Sequence, residues 1–337
     1  MDYVVIRGVF HVVGFSPDGD SVAFMASKRS LWGRLDGAGP ITGAAGANLG
    51  ALGKTLTNNA DCAQLRLLGI DAPETHYKPE GAATPVGEFR QPGDFGARAA
   101  AGLLAALGVT NLVWRKVFNG QYLASATVTP PGNPGAAATV HKKLTDAIPG
   151  YIVTREVEKE GRPLSWAFAG DPGVDDGATM TPEALAARLP NSINHRMLAK
   201  GMAYPYFFTS GEAVLRQSLA AAVDAAVGAA AKDHNLWEVD RTMQGVVLRD
   251  ISAIVHREGV AQDGALIWPY LFRKALKAWC KTGGSATKTS MDLSQLFVTG
   301  NPTVVVDDKS VRLDSIVSTD GGTLRLTKPP QHIVFPP

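Results

Sequence analysis

The sequence is poor in cysteine and in charge, and it has no long apolar run. Its 337 residues include 2 cysteines, Cys62 and Cys280, which are far apart and form no Cys-x-x-Cys pair of the kind that binds zinc. We therefore expect free thiols. Charged residues make up 19% of the chain and the net charge is +2, too small an excess to indicate nucleic-acid binding by itself. Because no apolar segment approaches the length of a bilayer, we expect no membrane function.

The first residues also lack the marks of a signal peptide. The segment MDYVVIRGVFHVVGF alternates as a strand does, and no small-residue cleavage site follows an apolar core. This pattern predicts a cytoplasmic location, with a secreted protein as the alternative if the sequence is a processed mature form.

Strand-like segments come first and helix-like segments follow, an order typical of a small closed barrel flanked by helices. Alternating apolar residues predict a hairpin around the turn SPDGD and further strands over 64–70 and 164–168. The dipeptide Asn119-Gly120 predicts another hairpin. Alanine- and leucine-rich or amphipathic patterns predict helices over 95–107, 192–200, 211–232 and 269–281.

Two stretches interrupt this order, and the character of the chain changes after residue 240. Residues from about 26 to 61 are small and glycine-rich, and a proline- and glycine-rich start at 130–135 opens a stretch from about 129 to 158. We interpret both as insertions in a domain that spans 1–240. Residues 241–337, with short strands expected over 303–306 and 311–313, form a small C-terminal α+β module of unknown role.

Four residues of the first domain suit phosphodiester chemistry. Asp20 and Asp71 end neighbouring strand candidates and can supply carboxylates to a hard divalent cation. Glu74 follows Asp71 across a proline turn, a position from which a carboxylate can accept a proton from water. Arg66 lies on the same strand as Asp71 and can face an anion in a cleft.

The same residues carry a resemblance to a known family. The blocks SPDGDSV, LRLLGIDAPE, EKEGRPLSWAFAGD, NSINHRMLAKGMAYPYF and LRQSLAAAVDAAVGAAAKDHNLWE resemble the staphylococcal nuclease (thermonuclease) domain in order and element type, over about residues 3 to 240. The block containing Asp71 and Glu74 is specific, whereas the DGD turn alone is weak. The resemblance implies an α+β fold with a five-stranded OB-type β-barrel and flanking helices.

The resemblance also implies roles for single residues. Asp20 and Asp71, with the backbone carbonyl of Ala72, match calcium ligands. Two carboxylates equally allow magnesium or manganese by residue type alone. Glu74 matches the general base. Arg66 and Arg162 match the two arginines that bind the phosphate. The implied activity is metal-dependent hydrolysis of DNA or RNA that leaves 3'-phosphate ends.

The sequence departs from the family where bases stack. Glu160 stands where the family has a tyrosine, and Phe207 is the remaining candidate for a later aromatic pair. Since base stacking contributes about 1 to 3 kcal/mol per base, we expect base stacking either to be weaker in this chain or to be supplied by the insertions. The alternative interpretation is an OB-fold module that binds nucleic acid or protein with little or no hydrolysis.

The C-terminal module carries a basic excess of its own. Residues 241–337 contain 12 Lys and Arg against 8 Asp and Glu. Arg273 and Lys277 belong to a basic stripe on the expected helix 269–281 that can hold a nucleic-acid backbone. A solvated helix face is the simpler interpretation and is favoured here. A protein partner bound through this module stays open.

Overall fold

The structure is a computed structural model that describes residues 2–37, 41–44, 62–79, 87–117, 120–208, 212–256, 264–285, 287–298 and 300–336. Most of the expected first insertion and the hairpin residue Asn119 lie outside these ranges. Within them, no helix is long and apolar enough to cross a membrane.

The strands, in chain order, are β1 Tyr3–His11, β2 Ser21–Ala26, β3 Ala63–Leu67, β4 Gly69–Asp71, β5 Val109–Val117, β6 Gly120–Val128, β7 Ala138–Val140, β8 Ile148–Val157, β9 Pro163–Ala169, β10 Thr179–Met180, β11 Tyr204–Phe208, β12 Val246–Val247, β13 Thr303–Val306, β14 Lys309–Arg312, β15 Val317–Ser318, β16 Thr323–Leu326 and β17 Ile333–Phe335. The helices are α1 Phe95–Ala106, α2 Pro182–Arg188, α3 Ile193–Ala199, α4 Ala213–Gly228, α5 Ala230–Asp233, α6 Leu236–Val239 and α7 Pro269–Lys281.

Five strands close into a mixed β-barrel, which is consistent with an OB-like fold. They follow the order β1–β2–β3–β9–β8, and β8 pairs with β1 to complete the circle. The pairing of β3 with β9 is parallel and the other four are antiparallel. Buried apolar side chains such as Val5, Phe10, Phe24, Leu65 and Ile152 line the strands. The expected five-stranded barrel is therefore present.

Two glycines allow β1 and β8 to pair closely. Gly8 lies opposite Gly150 in the β1–β8 register. A Cβ atom on Gly8 would lie 2.1 Å from the carbonyl oxygen of Met25, and one on Gly150 would lie 2.4 Å from the ring of Phe10. Both distances are shorter than the contacts that Cβ atoms make in proteins. Glycine at these positions therefore allows the carbonyl of Met25 and the ring of Phe10 to lie close to the strand backbone.

The expected second insertion, from about 129 to 158, extends too far. Its final third is β8, Ile148–Val157, which pairs with both β1 and β9 and closes the barrel. Pro149 and Gly150 at the beginning of this strand resemble loop residues and conceal it in the sequence. The earlier part of the stretch includes β7, which pairs with β6.

The chain divides into two compact units. Unit 1 comprises Met1–Leu68, Ala99–Met197 and Ala213–Ser218, and unit 2 comprises Gly69–Arg98, Leu198–Glu212 and Leu219–Pro337. This division differs from the expected boundary at residue 240. The reason is that β4 and β11, from the first 240 residues, share a sheet with β13, β14 and β17 from the last 40 or so.

Unit 2 contains that sheet, in the order β14–β13–β17–β11–β4, and a smaller sheet, β12–β16–β15. Helix α7 contributes Leu271, Phe272, Leu276 and Trp279 to the buried core of the unit. The expected C-terminal α+β module is thus part of a larger assembly that includes the strand bearing Asp71.

The four expected helices are present, but one predicted helix and one predicted strand are each divided into two elements. The helix expected over 211–232 is divided into α4 and α5 at Ala229, and the strand expected over 64–70 is divided into β3 and β4. Gly69 has a φ of +75°, a conformation that suits glycine at the second break. Helix α2 and strand β11 were not predicted from the sequence.

Candidate functional site

The predicted site residues belong to both units. Asp20, Arg66 and Arg162 are in unit 1, whereas Asp71, Ala72 and Glu74 are in unit 2 together with Arg273.

In unit 1, Asp20 and Arg66 form an ion pair. Asp20 directly precedes β2, and the β2–β3 register places its neighbour Ser21 opposite Arg66. The side chain of Asp20 is 9% exposed and that of Arg66 is 17% exposed. Partial burial strengthens an arginine–carboxylate pair because little water competes for the hydrogen bonds.

A different aspartate builds the turn before β2. Oδ1 of Asp18 accepts hydrogen bonds from the backbone N–H groups of Asp20, at 3.1 Å, and Ser21, at 2.7 Å. Nε2 of Gln64 donates to the hydroxyl of Ser21 at 2.8 Å. Asp18 therefore performs the local turn role, and the carboxylate of Asp20 is directed to Arg66 instead.

Arg162 lies just before the strand that is adjacent to the one carrying Arg66. It directly precedes β9, and Leu164 of β9 pairs with Arg66 of β3. Arg162 forms an ion pair with Glu158 across the β8–β9 turn, in which Gly161 has a φ of +82°. The barrel thus brings Asp20, Arg66 and Arg162 to three adjacent strands, although Arg162 pairs with a carboxylate that was not predicted.

In unit 2, Asp71 and Glu74 share one guanidinium group. Nη1 of Arg273 donates to Oδ1 of Asp71 at 3.0 Å, and Nη2 donates to Oδ2 at 2.8 Å. Nη1 also donates to Oε1 of Glu74 at 2.6 Å. Asp71 is 1% exposed and Arg273 is 22% exposed. This two-pronged geometry is the strong form of an arginine–carboxylate interaction.

The charges of this triad balance only in part. Burial lowers the pKa of the Arg273 guanidinium, but the Asp71 and Glu74 carboxylates outweigh that effect and raise the pKa well above its ordinary value. Arg273 is therefore permanently charged, and the three side chains together carry a net charge of about −1 when both carboxylates are ionised.

Strand pairing and a buried glutamine hold the two carboxylates in place. Asp71 ends β4, opposite Tyr204 of β11, and the buried Ala72 follows it. Oε1 of Gln91 accepts from the backbone N–H of Glu74 at 3.0 Å, and the N–H of Gln91 donates to the carbonyl of Glu74 at 2.9 Å. Nε2 of Gln91 donates to the carbonyl of Ile267 at 2.6 Å.

Sequence reasoning missed the role of Gln91 and the contact of Arg273 with Asp71 and Glu74. The basic stripe that includes Arg273 had two interpretations, a surface that holds a nucleic-acid backbone and a solvated helix face, of which the second was favoured. Instead, α7 is buried over most of its circumference, and Arg273 is directed to Asp71 and Glu74. A separation of about 200 residues leaves no spacing signal that could have indicated this contact.

Phe207 and Lys277, the other expected substrate-binding residues, differ in exposure. Phe207 is 3% exposed, since β11 pairs there with β17, so its ring is not available to a base. Lys277 is partly buried on α7. Its neighbour Lys274 is 8% exposed, donates to the carbonyl of Gly300, and has a pKa lowered by burial and by Lys277 and Lys281. A solvated helix face is therefore the wrong description of α7.

The predicted metal ligands interact with arginines. Asp20 pairs with Arg66, and Asp71 with Arg273. Among the residues that the structure describes, no group of three or more His, Cys, Asp or Glu side chains is arranged to hold a metal ion. As arranged here, the carboxylates fit guanidinium groups rather than a divalent cation, so a metal would fit Asp71 only after Arg273 has moved.

Comparison with protein-family models gave no match to this chain, and no curated protein matched it significantly.

Proposed function

We propose that the chain is a nuclease that hydrolyses phosphodiester bonds of DNA or RNA in a metal-dependent reaction. The supporting observation is that Asp71 and Glu74 converge on one cationic group, with Nη1 of Arg273 at 3.0 Å and 2.6 Å from their oxygens. A carboxylate that activates water beside a bound cation requires such convergence. The OB-like barrel and the order of the sequence blocks are compatible with the staphylococcal nuclease type of enzyme.

In this proposal, Glu74 accepts a proton from the attacking water, and Arg66 and Arg162 bind the phosphoryl oxygens. A guanidinium that already pairs with a carboxylate can exchange it for a phosphate of similar geometry. Both arginines have such partners, Asp20 and Glu158. The 3'-phosphate products follow from the family resemblance alone.

The metal in the proposed reaction is a divalent cation. Calcium, with the ligands Asp20, Asp71 and the carbonyl of Ala72, is suggested by the resemblance, and magnesium and manganese are the alternatives. A bound divalent cation would supply positive charge beside the phosphoryl oxygens. In this structure the carboxylates of Asp20 and Asp71 interact with arginines.

Digestion of single-stranded DNA and RNA by the purified full chain tests the proposal. We expect cleavage with calcium, magnesium or manganese that a chelator abolishes. The Glu74→Gln variant should cleave about 10²- to 10⁴-fold more slowly, the usual loss when a general base is removed.

Glu88→Gln is the matched control, since Glu88 is an exposed glutamate of the same segment and its loss changes the charge equally. Equal cleavage by the wild type and Glu74→Gln would contradict the role of Glu74. Absence of cleavage with every metal would contradict the nuclease.

A binding module without hydrolysis is the second candidate. It is favoured by the ion pairs of Asp20, Asp71, Glu74 and Glu158 with arginines, because a carboxylate held by a guanidinium group is less available to activate water. Fluorescence anisotropy with labelled single-stranded oligonucleotides in chelator separates the two. Tight binding combined with no turnover at any metal concentration would support the module.

A further inference from the structure

Unit 1 contains a segment with positive charge and no negative charge. Residues 109–145, which include the sheet β5–β6–β7 and the five residues after it, contain no aspartate or glutamate, and we call them the basic arm. Their four lysines and arginines are Arg115, Lys116, Lys142 and Lys143. The whole chain has 33 basic and 31 acidic residues, so a segment of average composition would be almost neutral. The positive charge of the arm is therefore a local feature.

Three of the four cations of the basic arm are directed to solvent. Arg115, Lys116 and Lys142 are exposed, and no carboxylate among the residues that the structure describes forms an ion pair with them. Lys143 differs, because its Nζ atom lies 4.3 Å from the centre of the Phe15 ring and burial lowers its pKa. Lys143 therefore belongs to the packing of the unit, and the other three cations can meet a partner.

The register of β5 and β6 places an aromatic ring beside one of these cations. Arg115 lies opposite Tyr122, and Lys116 lies opposite Gln121. Residues directly opposite each other share a face of the sheet, with Cβ atoms about 4.5–5.5 Å apart. Arg115 and the partly exposed Tyr122 are therefore neighbours on one face. A cation next to a ring suits single-stranded nucleic acid, because it can bind a phosphate while the ring stacks on a base.

Hydrogen bonds anchor the basic arm beside the turn that leads to Asp20. The backbone N–H of Leu123 donates to the carbonyl of Phe15 at 2.9 Å, and the hydroxyl of Ser16 donates to the carbonyl of Gln121 at 2.6 Å. Ser16 begins the turn SPDGD, whose last residue is Asp20. The exposed cations of the arm are thus held in the same unit as the candidate phosphate-binding residues and close to them along the backbone pairing.

We propose that the basic arm is a binding surface for single-stranded nucleic acid, with phosphates at Arg115, Lys116 and Lys142 and a base stacked on Tyr122. The choice of nucleic acid among polyanions rests on the proposed function, whereas the positive surface is independent of it. Cations that contact phosphates release counterions from the nucleic acid, so binding by the arm depends on salt and only weakly on base sequence.

Fluorescence anisotropy of the full chain with labelled oligothymidylate, in chelator, tests this inference. The double variant Arg115→Gln/Lys116→Gln should raise the Kd at least about tenfold in about 50 mM salt. It should also reduce the slope of log K against log salt by about 1.4, since each phosphate contact of a single strand contributes about 0.7.

Lys309→Gln/Arg312→Gln is the matched control for the double variant. It removes the same charge from the exposed residues of β14, which belongs to unit 2. Its Kd should stay within about twofold of that of the wild type, as expected for charges remote from the bound strand.

Two single variants keep the test decisive if the double variant does not fold. Lys142→Gln, which lies outside the strands, should reduce the salt slope by about 0.7. Tyr122→Leu should leave the salt slope unchanged and raise the Kd about 5- to 150-fold, the factor that corresponds to one stacked base.

Unchanged Kd and salt slope in all arm variants would overturn the proposal, and so would an equal loss of affinity in the control. Absence of oligothymidylate binding by the wild type would overturn it as well. Heparin and anionic lipid vesicles serve as other polyanions. Competition by either that matches unlabelled oligothymidylate, with no effect of Tyr122→Leu, would overturn the assignment to nucleic acid.

The result is separate from that of the nuclease test, because binding is measured in chelator. Binding that depends on the basic arm, without cleavage at any metal concentration, would retain the surface and refute the nuclease. Cleavage with binding that is unaffected by the arm variants would do the reverse.

Discussion

In unit 1, Asp20 pairs with an arginine of the adjacent barrel strand, whereas in unit 2 Asp71 and Glu74 pair with an arginine 202 and 199 residues further along the chain. The first pair follows from strand register and joins two residues that were predicted as members of one site. The second depends on how a C-terminal helix packs in its own unit. A carboxylate that looks equally available in the sequence can thus have a local or a distant partner.

The two pairs also differ in how much charge they bury. Arg273 serves two carboxylates, of which Asp71 is 1% exposed, whereas Arg66 has Asp20, which is 9% exposed. Removal of the arginine should therefore be more damaging in unit 2 than in unit 1, and this difference can be measured.

The largest effect on stability is expected for Arg273→Ala. Loss of one partner of a buried ion pair leaves an uncompensated charge and lowers the free energy of unfolding by about 3–5 kcal/mol. Arg66→Ala should lower it by about 1.5–3 kcal/mol, the range for a hydrogen bond to a charged group. Chemical denaturation of both variants measures the difference. Equal decreases in the free energy of unfolding for Arg273→Ala and Arg66→Ala would contradict the expected difference between the two ion pairs.

A second effect concerns pH and a buried acid of unit 2. Burial raises the pKa of Asp240 to about 6, in spite of hydrogen bonds from Thr242 and Tyr204 that lower it. The hydroxyl of Tyr204 donates to Oδ1 of Asp240 at 2.7 Å, and that of Thr242 donates at 2.5 Å. A carboxyl with a raised pKa is more easily protonated in the folded state, so its contribution to stability is complete below the unfolded pKa and is lost as the pH rises.

We therefore expect the free energy of unfolding of the wild type, relative to that of Asp240→Asn, to decrease as the pH rises from about 4 to about 6. Above about pH 6 the difference should be constant, because the variant has no proton to release at this position. The shift from 3.8 to about 6 corresponds to about 3 kcal/mol at most. Denaturation curves across this range measure it. Asp308→Asn, at an exposed position, is the control and should show no such slope. A constant difference for Asp240→Asn would show that the acid is ionised in the folded protein at all these pH values.

The smallest effect on stability is expected for Arg162→Gln. Arg162 and Glu158 are 32% and 20% exposed, and an ion pair so accessible to water contributes about 0–1 kcal/mol. The proposed function nevertheless assigns Arg162 to the phosphate, so its loss should reduce cleavage much more than stability. Thermal denaturation and the digestion assay, applied to the same preparation, compare the two. A large loss of stability with unaltered cleavage would assign Arg162 to the fold alone.

Much of unit 1 could be predicted because its information is local. Alternating residues indicated β1, β2 and β3, and the turn SPDGDS placed Asp20 beside the strand that carries Arg66. Strand β8 was missed because Pro149 and Gly150 interrupt its pattern, although Gly150 is the residue that permits close pairing with Gly8. The same glycine that weakens the pattern is required by the barrel.

Unit 2 was harder to predict because its contacts join distant parts of the chain. Helix α7 was predicted with the correct bounds, but its basic residues indicated a solvated face. The stems of Lys274 and Arg273 are instead packed in the unit, with their charges satisfied by Gly300, Asp71 and Glu74. A helical pattern indicates which residues share a face, but it does not indicate which part of the protein packs against that face.

The sequence by itself determined the elements, their order and the chemical character of the candidate residues, since these depend on side-chain periodicity, on turn residues and on motif spacing. The tertiary structure alone decided the partners: that β8 closes the barrel onto β1, that β4 joins a sheet of C-terminal strands, and that Arg273 holds Asp71 and Glu74. Partners at such separations are selected by burial and charge compensation in the folded chain, and neither leaves a mark at a fixed distance along the sequence.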